Sequence, residues 1–290
     1  MSNLKGVGVA LVTPFNEDLS VDFDSLTKLV NFNIENGTNY LVVLGTTAEA
    51  ATLSSEEKKQ VIDHIIKANN KRVPLVLGIG GNNTMEVKKQ IEEADLSDFD
   101  AVLSVSPYYN KPNQEGLYQH YKALASTGKN IIIYNVPSRT GQNVEASTTL
   151  RLAEEFPNLI MIKEAAPNIL QYFDILRLKP ANFNLVSGDD EYTLPVTLAG
   201  GNGVISVIGQ GYPKEFSTMV QLAFDGKVKE AYKIHNKLVE ITRLIFAEGN
   251  PAGIKTVLAE LGIIKNYLRL PLVAASAGLQ EKIKAEMAKI

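Results

Sequence analysis

Short apolar runs alternate with longer amphipathic segments along most of the chain. The apolar runs are rich in Val, Ile and Leu, as is typical of strands buried on both faces of a sheet. The pattern predicts eight strands: Val7–Val12, Tyr40–Leu44, Val73–Ile79, Ala101–Ser106, Ile131–Asn135, Leu159–Lys163, Asn184–Ser187 and Gly203–Val207.

The segments between these runs repeat their apolar residues at helical spacing. Some have a clear start, such as Ser54, a capping serine followed by the acidic residues Glu56 and Glu57. The predicted helices are Asp22–Glu35, Ser54–Ala68, Thr84–Leu96, Gln114–Ser126, Glu145–Glu155, Ile169–Leu176, Glu191–Ala199 and Pro213–Phe224.

Strands that alternate with helices indicate an α/β protein with a parallel sheet covered on both faces. Eight such units, with no G-x-G-x-x-G after the first strand, favour a closed (β/α)₈ TIM barrel over an open doubly wound sheet. After about Gly226 only helical patterns remain, at Lys229–Phe246, Ala252–Leu261 and Leu279–Ala288. We therefore expect a catalytic barrel over residues 1–226 and a small C-terminal helical domain over residues 227–290.

The composition of the chain argues against several classes of function. The chain of 290 residues has no cysteine and three histidines that lie far apart, so we expect no metal and no cofactor site built on them. A net charge of −3 gives no basic field for nucleic acid. No apolar run reaches the roughly 18 residues that span a membrane, and the N-terminus does not resemble a secretion signal. We expect a cytoplasmic protein.

Lys163 closes an apolar strand, where a lysine is unusual. Lysine is rarely buried without a partner, and desolvation disfavours its charged form. A lysine held partly neutral can form a Schiff base with a carbonyl substrate. The alternative is that the strand ends one residue earlier and Lys163 points into water.

In barrel enzymes the chemistry lies at the carboxyl ends of the strands. After strand two, Thr46 and Thr47 follow a glycine, and their hydroxyls and backbone N–H groups suit a carboxylate. They could equally form a simple strand-to-helix turn with a capping threonine. After strand four, Tyr108 and Tyr109 lie between prolines and either display a phenol or anchor the loop by packing.

The later strands carry further polar residues. Tyr134 ends strand five and could move protons, and Arg139 in the next loop could bind a carboxylate. Gly188 follows strand seven, where a glycine allows close approach of a small ligand. The next residues, Asp189 and Asp190, fit helix capping better than catalysis. Together these side chains would surround Lys163 and favour Schiff-base chemistry.

The chain resembles the dihydrodipicolinate synthase family of pyruvate-dependent class I aldolases, a superfamily that includes N-acetylneuraminate lyase. The resemblance covers essentially the whole chain. Its motifs are Gly45-Thr46-Thr47-Ala48-Glu49, Pro107-Tyr108-Tyr109-Asn110, Tyr134-Asn135-Val136-Pro137-Ser138-Arg139-Thr140, Ile162-Lys163-Glu164, Ser187-Gly188-Asp189-Asp190 and Gly203-Val204-Ile205-Ser206.

The resemblance implies that Lys163 forms a Schiff base with pyruvate. It implies a proton relay of Thr46, Tyr134 and Tyr109, in which Tyr109 reaches into the active site of a neighbouring subunit. The second substrate would be L-aspartate 4-semialdehyde and the product 4-hydroxy-tetrahydrodipicolinate, in the diaminopimelate route to lysine. The family is typically a homotetramer, a dimer of dimers, and needs no cofactor.

The resemblance also implies a set of substrate-binding residues. Thr46 and Thr47 would hold the pyruvate carboxylate, Arg139 would bind the carboxylate of the second substrate, and Gly188 and Ile205 would complete the pocket. Arg139 argues against the rival assignments, N-acetylneuraminate lyase or a 2-keto-3-deoxy-sugar-acid aldolase. A non-catalytic barrel would be expected to have lost Lys163 or Tyr134.

The chain departs from the family pattern at two places. Ala48 replaces the second glycine of the usual Gly-Thr-Thr-Gly-Glu motif, a change that we expect to be tolerated. Relatives inhibited by L-lysine carry histidines and a polar residue in the segment that follows this motif. Here Lys58 would place a like charge near that effector, although Tyr108, Asn82 and Glu86 match. We predict weak or absent inhibition by L-lysine.

Overall fold

The strands form a closed parallel barrel in sequence order, as the sequence predicts. The structure is a computed structural model that describes residues 4–290. Each strand pairs with the next one along the chain; for example, Ile131–Asn135 and Leu159–Glu164 run side by side in parallel. The strands are β1 Gly6–Ala10, β2 Tyr40–Val43, β3 Leu75–Gly78, β4 Ala101–Val105, β5 Ile131–Asn135, β6 Leu159–Glu164, β7 Asn184–Ser187 and β8 Gly203–Ser206.

All the predicted helices are present, with ends that differ by a few residues. Asp22 and Ser54 are capping residues just outside their helices, and Ser54 forms a capping box with Glu57. The helices are α1 Phe23–Glu35, α2 Ser55–Asn69, α3 Thr84–Glu93, α4 Gln114–Ala125, α5 Pro137–Thr140, α6 Ala146–Glu155, α7 Ile169–Leu178, α8 Thr193–Leu198, α9 Pro213–Phe224, α10 Val228–Phe246, α11 Ala252–Glu260 and α12 Ala277–Met287.

The structure adds short elements that the sequence pattern does not reveal. These are the single-turn helix α5 and the 3₁₀ turns Thr46–Ala48, Ala50–Thr52 and Ile208–Gln210. Elements this short contain no complete hydrophobic repeat, so periodicity cannot detect them. The sixth strand also continues one residue past Lys163, to Glu164.

By its internal contacts the chain divides into two compact units. One comprises Pro74–Ile205 and the segment ending at Lys5, and the other comprises Gly6–Val73 and Ser206–Ile290. The predicted boundary between residues 226 and 227 does not coincide with either limit, and the division into a barrel and a C-terminal domain stays a prediction.

In the first unit, the outer faces of the strands pack against α3, α4, α6 and α7. The buried cluster between them includes Val102 and Ile133 from the strands, and Leu117 and Tyr172 from the helices. In the second unit, the buried Gln210 side chain accepts from the Val12 N–H and donates to the Ala10 carbonyl, both at 3.0 Å. The helices that cover the outer faces of the strands explain why the strands are apolar on both faces.

Candidate active site

Lys163 and Tyr134 lie side by side at the carboxyl ends of β6 and β5. They are register partners, and the Lys163 amine nitrogen lies 4.2 Å from the centroid of the Tyr134 ring. Lys163 is 5% exposed and Tyr134 is 7% exposed. Lys163 therefore does not point into water, and its amine is held against a tyrosine at a strand end, where barrel chemistry occurs.

The space beside the Lys163 side chain depends on Gly188. A Cβ added at this glycine would lie 2.9 Å from Lys163 Cε and 2.7 Å from Ala165 Cβ. Any larger residue would thus displace the lysine side chain or the strand end. Gly188 therefore lies beside Lys163, and the absence of a side chain at this position leaves room for the lysine.

Glu164, directly after the lysine, is completely buried, and the sequence motifs assign it no role. Its carboxylate accepts from Asn135 Nδ2 at 2.9 and 3.0 Å, from the Ala166 N–H at 2.7 Å and from Gln171 Nε2 at 2.8 Å. Burial raises the pKa of Glu164 to about 7, although these donors oppose the shift. In the sequence, Glu164 is recognisable only as an acidic residue at the end of an apolar strand.

The same network fixes the segment that carries Arg139. Asn135 Oδ1 accepts from the Val144 N–H at 2.9 Å, and Asn143 Nδ2 donates to Gln171 Oε1 at 2.8 Å. The chain between these anchors contains α5, on which Arg139 is exposed. The arginine therefore lies at the surface on a segment whose ends are tied to the buried residues behind β5 and β6.

Tyr109 projects from the loop after β4. It is 89% exposed, and its backbone adopts the left-handed region at φ 73°. The loop is tied down next to it, because Asn110 Nδ2 donates to the Asn82 carbonyl at 2.9 Å. The side chain of Lys111 lies so close to Gly141 that an added Cβ would be 2.7 Å from Lys111 Cε. The phenol is displayed outward and does not anchor the loop by packing.

In the second unit, Thr46 and Thr47 lie in the 3₁₀ turn that follows β2. Thr46 is exposed, whereas Thr47 is buried and its hydroxyl accepts from Asn250 Nδ2 at 2.9 Å. Ala48 lies inside the turn, a conformation open to any residue, so the alanine in place of the family's glycine causes no strain. The left-handed residue of this motif is the next one, Glu49, at φ 54°.

Glu49 is held by residues from the C-terminal segment. Its carboxylate accepts from Lys255 Nζ at 2.5 Å and from the Arg269 backbone N–H at 3.0 Å, and neither Glu49 nor Lys255 exposes its side chain. Burial lowers the pKa of Lys255 to about 8, while Glu49 opposes the shift. Lys255 belongs to none of the sequence motifs, although it interrupts an apolar run as Lys163 does.

The remaining predicted positions have simpler environments. Ile205 is buried in β8. Asp189 accepts from the backbone N–H groups of Glu191 and Tyr192, ahead of α8, as expected for a residue that stabilises the start of a helix. Within residues 4–290, no three His, Cys, Asp or Glu side chains cluster as metal ligands would, and no helix is long and apolar enough to cross a membrane.

The closed barrel of eight parallel strands, with helices on its outer faces, places the chain in the class of (β/α)₈-barrel proteins. The sequence pattern of the Dihydrodipicolinate synthetase family matches residues 3–290. The chain therefore belongs to the dihydrodipicolinate synthetase family, as the resemblance of its motifs predicts.

Individual relatives agree with this assignment over nearly their whole lengths. The 4-hydroxy-tetrahydrodipicolinate synthase of Flavobacterium psychrophilum is 56% identical over 279 residues, which cover 96% of this chain and 95% of that protein. The dihydrodipicolinate synthase structure from Thermotoga maritima is 38% identical with a TM-score of 0.96, covering 99% of this chain and 98% of that one. A structure described as a monomeric dihydrodipicolinate synthase variant is 38% identical with a TM-score of 0.95, covering 98% and 96%.

Proposed function

We propose that this protein is a lyase that condenses pyruvate with L-aspartate 4-semialdehyde to 4-hydroxy-tetrahydrodipicolinate, in the diaminopimelate route to lysine. The observation that carries the proposal is the buried Lys163 amine against Tyr134 at adjacent strand ends, in a chain 56% identical to a protein named for this activity. A cytoplasmic location is part of the same proposal.

The chemistry begins with a covalent bond to the lysine. The Lys163 amine attacks the ketone carbon of pyruvate, and loss of water gives an iminium ion. This cation withdraws electrons, so the adjacent methyl group loses a proton and an enamine forms. Tyr134 would carry that proton, with Thr46 and Tyr109 as the further members of the relay. Thr46 and Thr47 would hold the carboxylate of the bound pyruvate.

The second half of the reaction forms the carbon–carbon bond. The enamine carbon attacks the aldehyde carbon of the semialdehyde, and the aldehyde oxygen takes up a proton to become the hydroxyl. The amine of this substrate then attacks the iminium carbon, which closes the ring and releases Lys163 as a free amine. Arg139 would bind the second substrate's carboxylate, and Gly188 and Ile205 would line the pocket. No step requires a metal or an organic cofactor.

Borohydride reduction in the presence of pyruvate tests the central step. We expect the protein to gain one pyruvyl group, mapped to the peptide that contains Lys163. The Lys163→Arg variant keeps a long basic side chain but should form no adduct, and its activity should fall to assay background. Condensation with aspartate semialdehyde should be measured beside cleavage of N-acetylneuraminate. An adduct on another lysine, or faster cleavage than condensation, would refute the proposal.

We propose a homotetramer, a dimer of dimers, in which Tyr109 acts in the neighbouring subunit's site. The support is the 89% exposure of this tyrosine on a loop that is itself tied down through Asn110. Sedimentation velocity gives the oligomeric state. Mixing Tyr109→Phe subunits with Lys163→Arg subunits should restore part of the activity, because some sites then contain both intact residues. A fully active monomer would contradict the proposal.

A further inference from the structure

The C-terminal segment contacts the turn that the proposed function assigns to the pyruvate carboxylate. The Asn250 amide nitrogen donates to Thr47 Oγ1 at 2.9 Å, and both residues are buried, at 8% and 2% exposure. Residue 250 lies just before α11, more than two hundred positions from Thr47 in the sequence. No motif of the barrel strands points to it.

The direction of this hydrogen bond matters for the chemistry of the turn. A threonine hydroxyl has one hydrogen to donate and two lone pairs that accept. Because the Asn250 amide can only donate through its nitrogen, Thr47 accepts there and keeps its own hydrogen for another acceptor. A carboxylate accepts only, so a hydroxyl held in this way is oriented to donate to it.

Two further contacts from the same segment hold the backbone of the turn. Glu49 ends the turn with its backbone in the left-handed region, at φ 54°. Its carboxylate accepts hydrogen bonds from Lys255 Nζ at 2.5 Å and from the Arg269 backbone N–H at 3.0 Å. A non-glycine residue persists in that region only where its surroundings hold it. The side chain of Thr47 and the backbone after it are therefore both fixed by residues 250–269.

We propose that Asn250 is a positioning residue for carboxylate recognition: it holds the Thr47 hydroxyl with its hydrogen free to donate to the carboxylate of the keto acid. The inference rests on the proposed function, because Thr47 is assigned to pyruvate there. Asn250 itself need not touch the substrate. Its contribution is to affinity for the carboxylate, and the covalent chemistry at Lys163 does not depend on it.

Asn250→Ala removes the donor to Thr47, and Asn250→Asp replaces it with an acceptor. The alanine variant leaves the hydroxyl unoriented, and we expect the KM for pyruvate to rise about tenfold, with kcat changed less than twofold, as for one lost hydrogen bond. The aspartate variant is nearly the same size but accepts from Thr47, which takes the hydrogen away from the ligand. Its KM should rise more than that of the alanine variant. Asn266→Ala is the matched control, because Asn266 donates to the Thr256 hydroxyl in the same segment.

A neutral ketone separates positioning from general damage to the fold. Hydroxyacetone can form a Schiff base but has no carboxylate, so its reducible adduct should form equally in wild type and in both Asn250 variants. Thr47→Val should raise the KM for pyruvate, and adding Asn250→Ala to it should raise it no further. Equal loss of the pyruvate and hydroxyacetone adducts, or additive effects of the two substitutions, would overturn the inference. Failure of the wild type to form a pyruvate adduct would instead refute the proposed function.

Discussion

Lys163 and Glu164 are consecutive in β6 and have opposite surroundings. Because successive strand residues point to opposite faces, the lysine lies against Tyr134 while the glutamate binds Asn135 and Gln171 on the other side. Both are ionisable groups in a strand that is otherwise apolar. The buried carboxylate has a pKa raised to about 7, which makes its ionisation a measurable property of the fold.

Glu164 should make the stability of the protein fall as the pH rises from 5 to 8. Its folded-state pKa of about 7 lies above the ordinary value of 4.5, so the folded protein binds the proton more tightly than the unfolded chain does. This contribution is complete below pH 4.5 and is lost as the pH passes 7. In the Glu164→Gln variant it is absent. Between pH 5 and 8, the free energy of unfolding measured with urea should fall by about 3 kcal/mol more in the wild type than in the variant.

The exposed Glu93→Gln variant is the control for that experiment, since its side chain lies at the helix surface. It should follow the pH dependence of wild type. A Glu164→Gln variant that also parallels wild type would show that Glu164 does not change its protonation there.

Lys58 governs the expected response to L-lysine. The resemblance places a cationic effector near this residue in inhibited relatives, and a second positive charge there would oppose its binding. We expect no half-inhibition at sub-millimolar L-lysine in a steady-state assay of condensation. Lys58→Ala should strengthen inhibition by L-lysine, because it removes the opposing positive charge. Sub-millimolar inhibition of the wild type would contradict the prediction.

At the level of elements, the sequence predicts the strands and long helices but not the short turns. Each strand is an apolar run and each long helix repeats its apolar face, so both leave a local signal. The turns Thr46–Ala48 and Pro137–Thr140 leave none, yet they carry Thr47 and Arg139. These site residues could be found only from their places after strands and from the family motifs.

Gly188→Ala tests how closely the ends of β6 and β7 approach each other. The new Cβ would lie 2.9 Å from Lys163 Cε and 3.1 Å from the Glu164 carbonyl oxygen, so the lysine side chain must move. We expect the yield of the reduced pyruvate adduct to fall at least about tenfold, since catalysis requires accurate placement of the nucleophile. Gly278→Ala, with no atom within 4 Å of its added Cβ, should leave the yield unchanged. Normal adduct formation in Gly188→Ala would show that the strand ends can adjust.

At the scale of the whole molecule, the contacts that the sequence does not disclose join residues far apart in the chain. Asn250, Lys255 and Arg269 bind the turn after β2, and nothing local to either segment specifies that pairing. Only one general signal was present: an ionisable residue inside an apolar helix needs a partner. This rule predicts that Lys255 has a partner, but it does not predict that the partner is Glu49.

Lys255→Met should destabilise the protein strongly, because it leaves the Glu49 carboxylate buried without its cation. Breaking a buried pair from one side typically costs about 3–5 kcal/mol, whereas removing both charges costs much less. The double variant Lys255→Met/Glu49→Gln should therefore unfold at a higher urea concentration than Lys255→Met alone. Lys265→Met is the matched control: its 3.4 Å pair with Asp22 is exposed on the lysine side, and its loss should cost less than about 1 kcal/mol. If Lys255→Met unfolds with the same midpoint as Lys265→Met, the buried ion pair does not hold the C-terminal segment to the turn that carries Thr47.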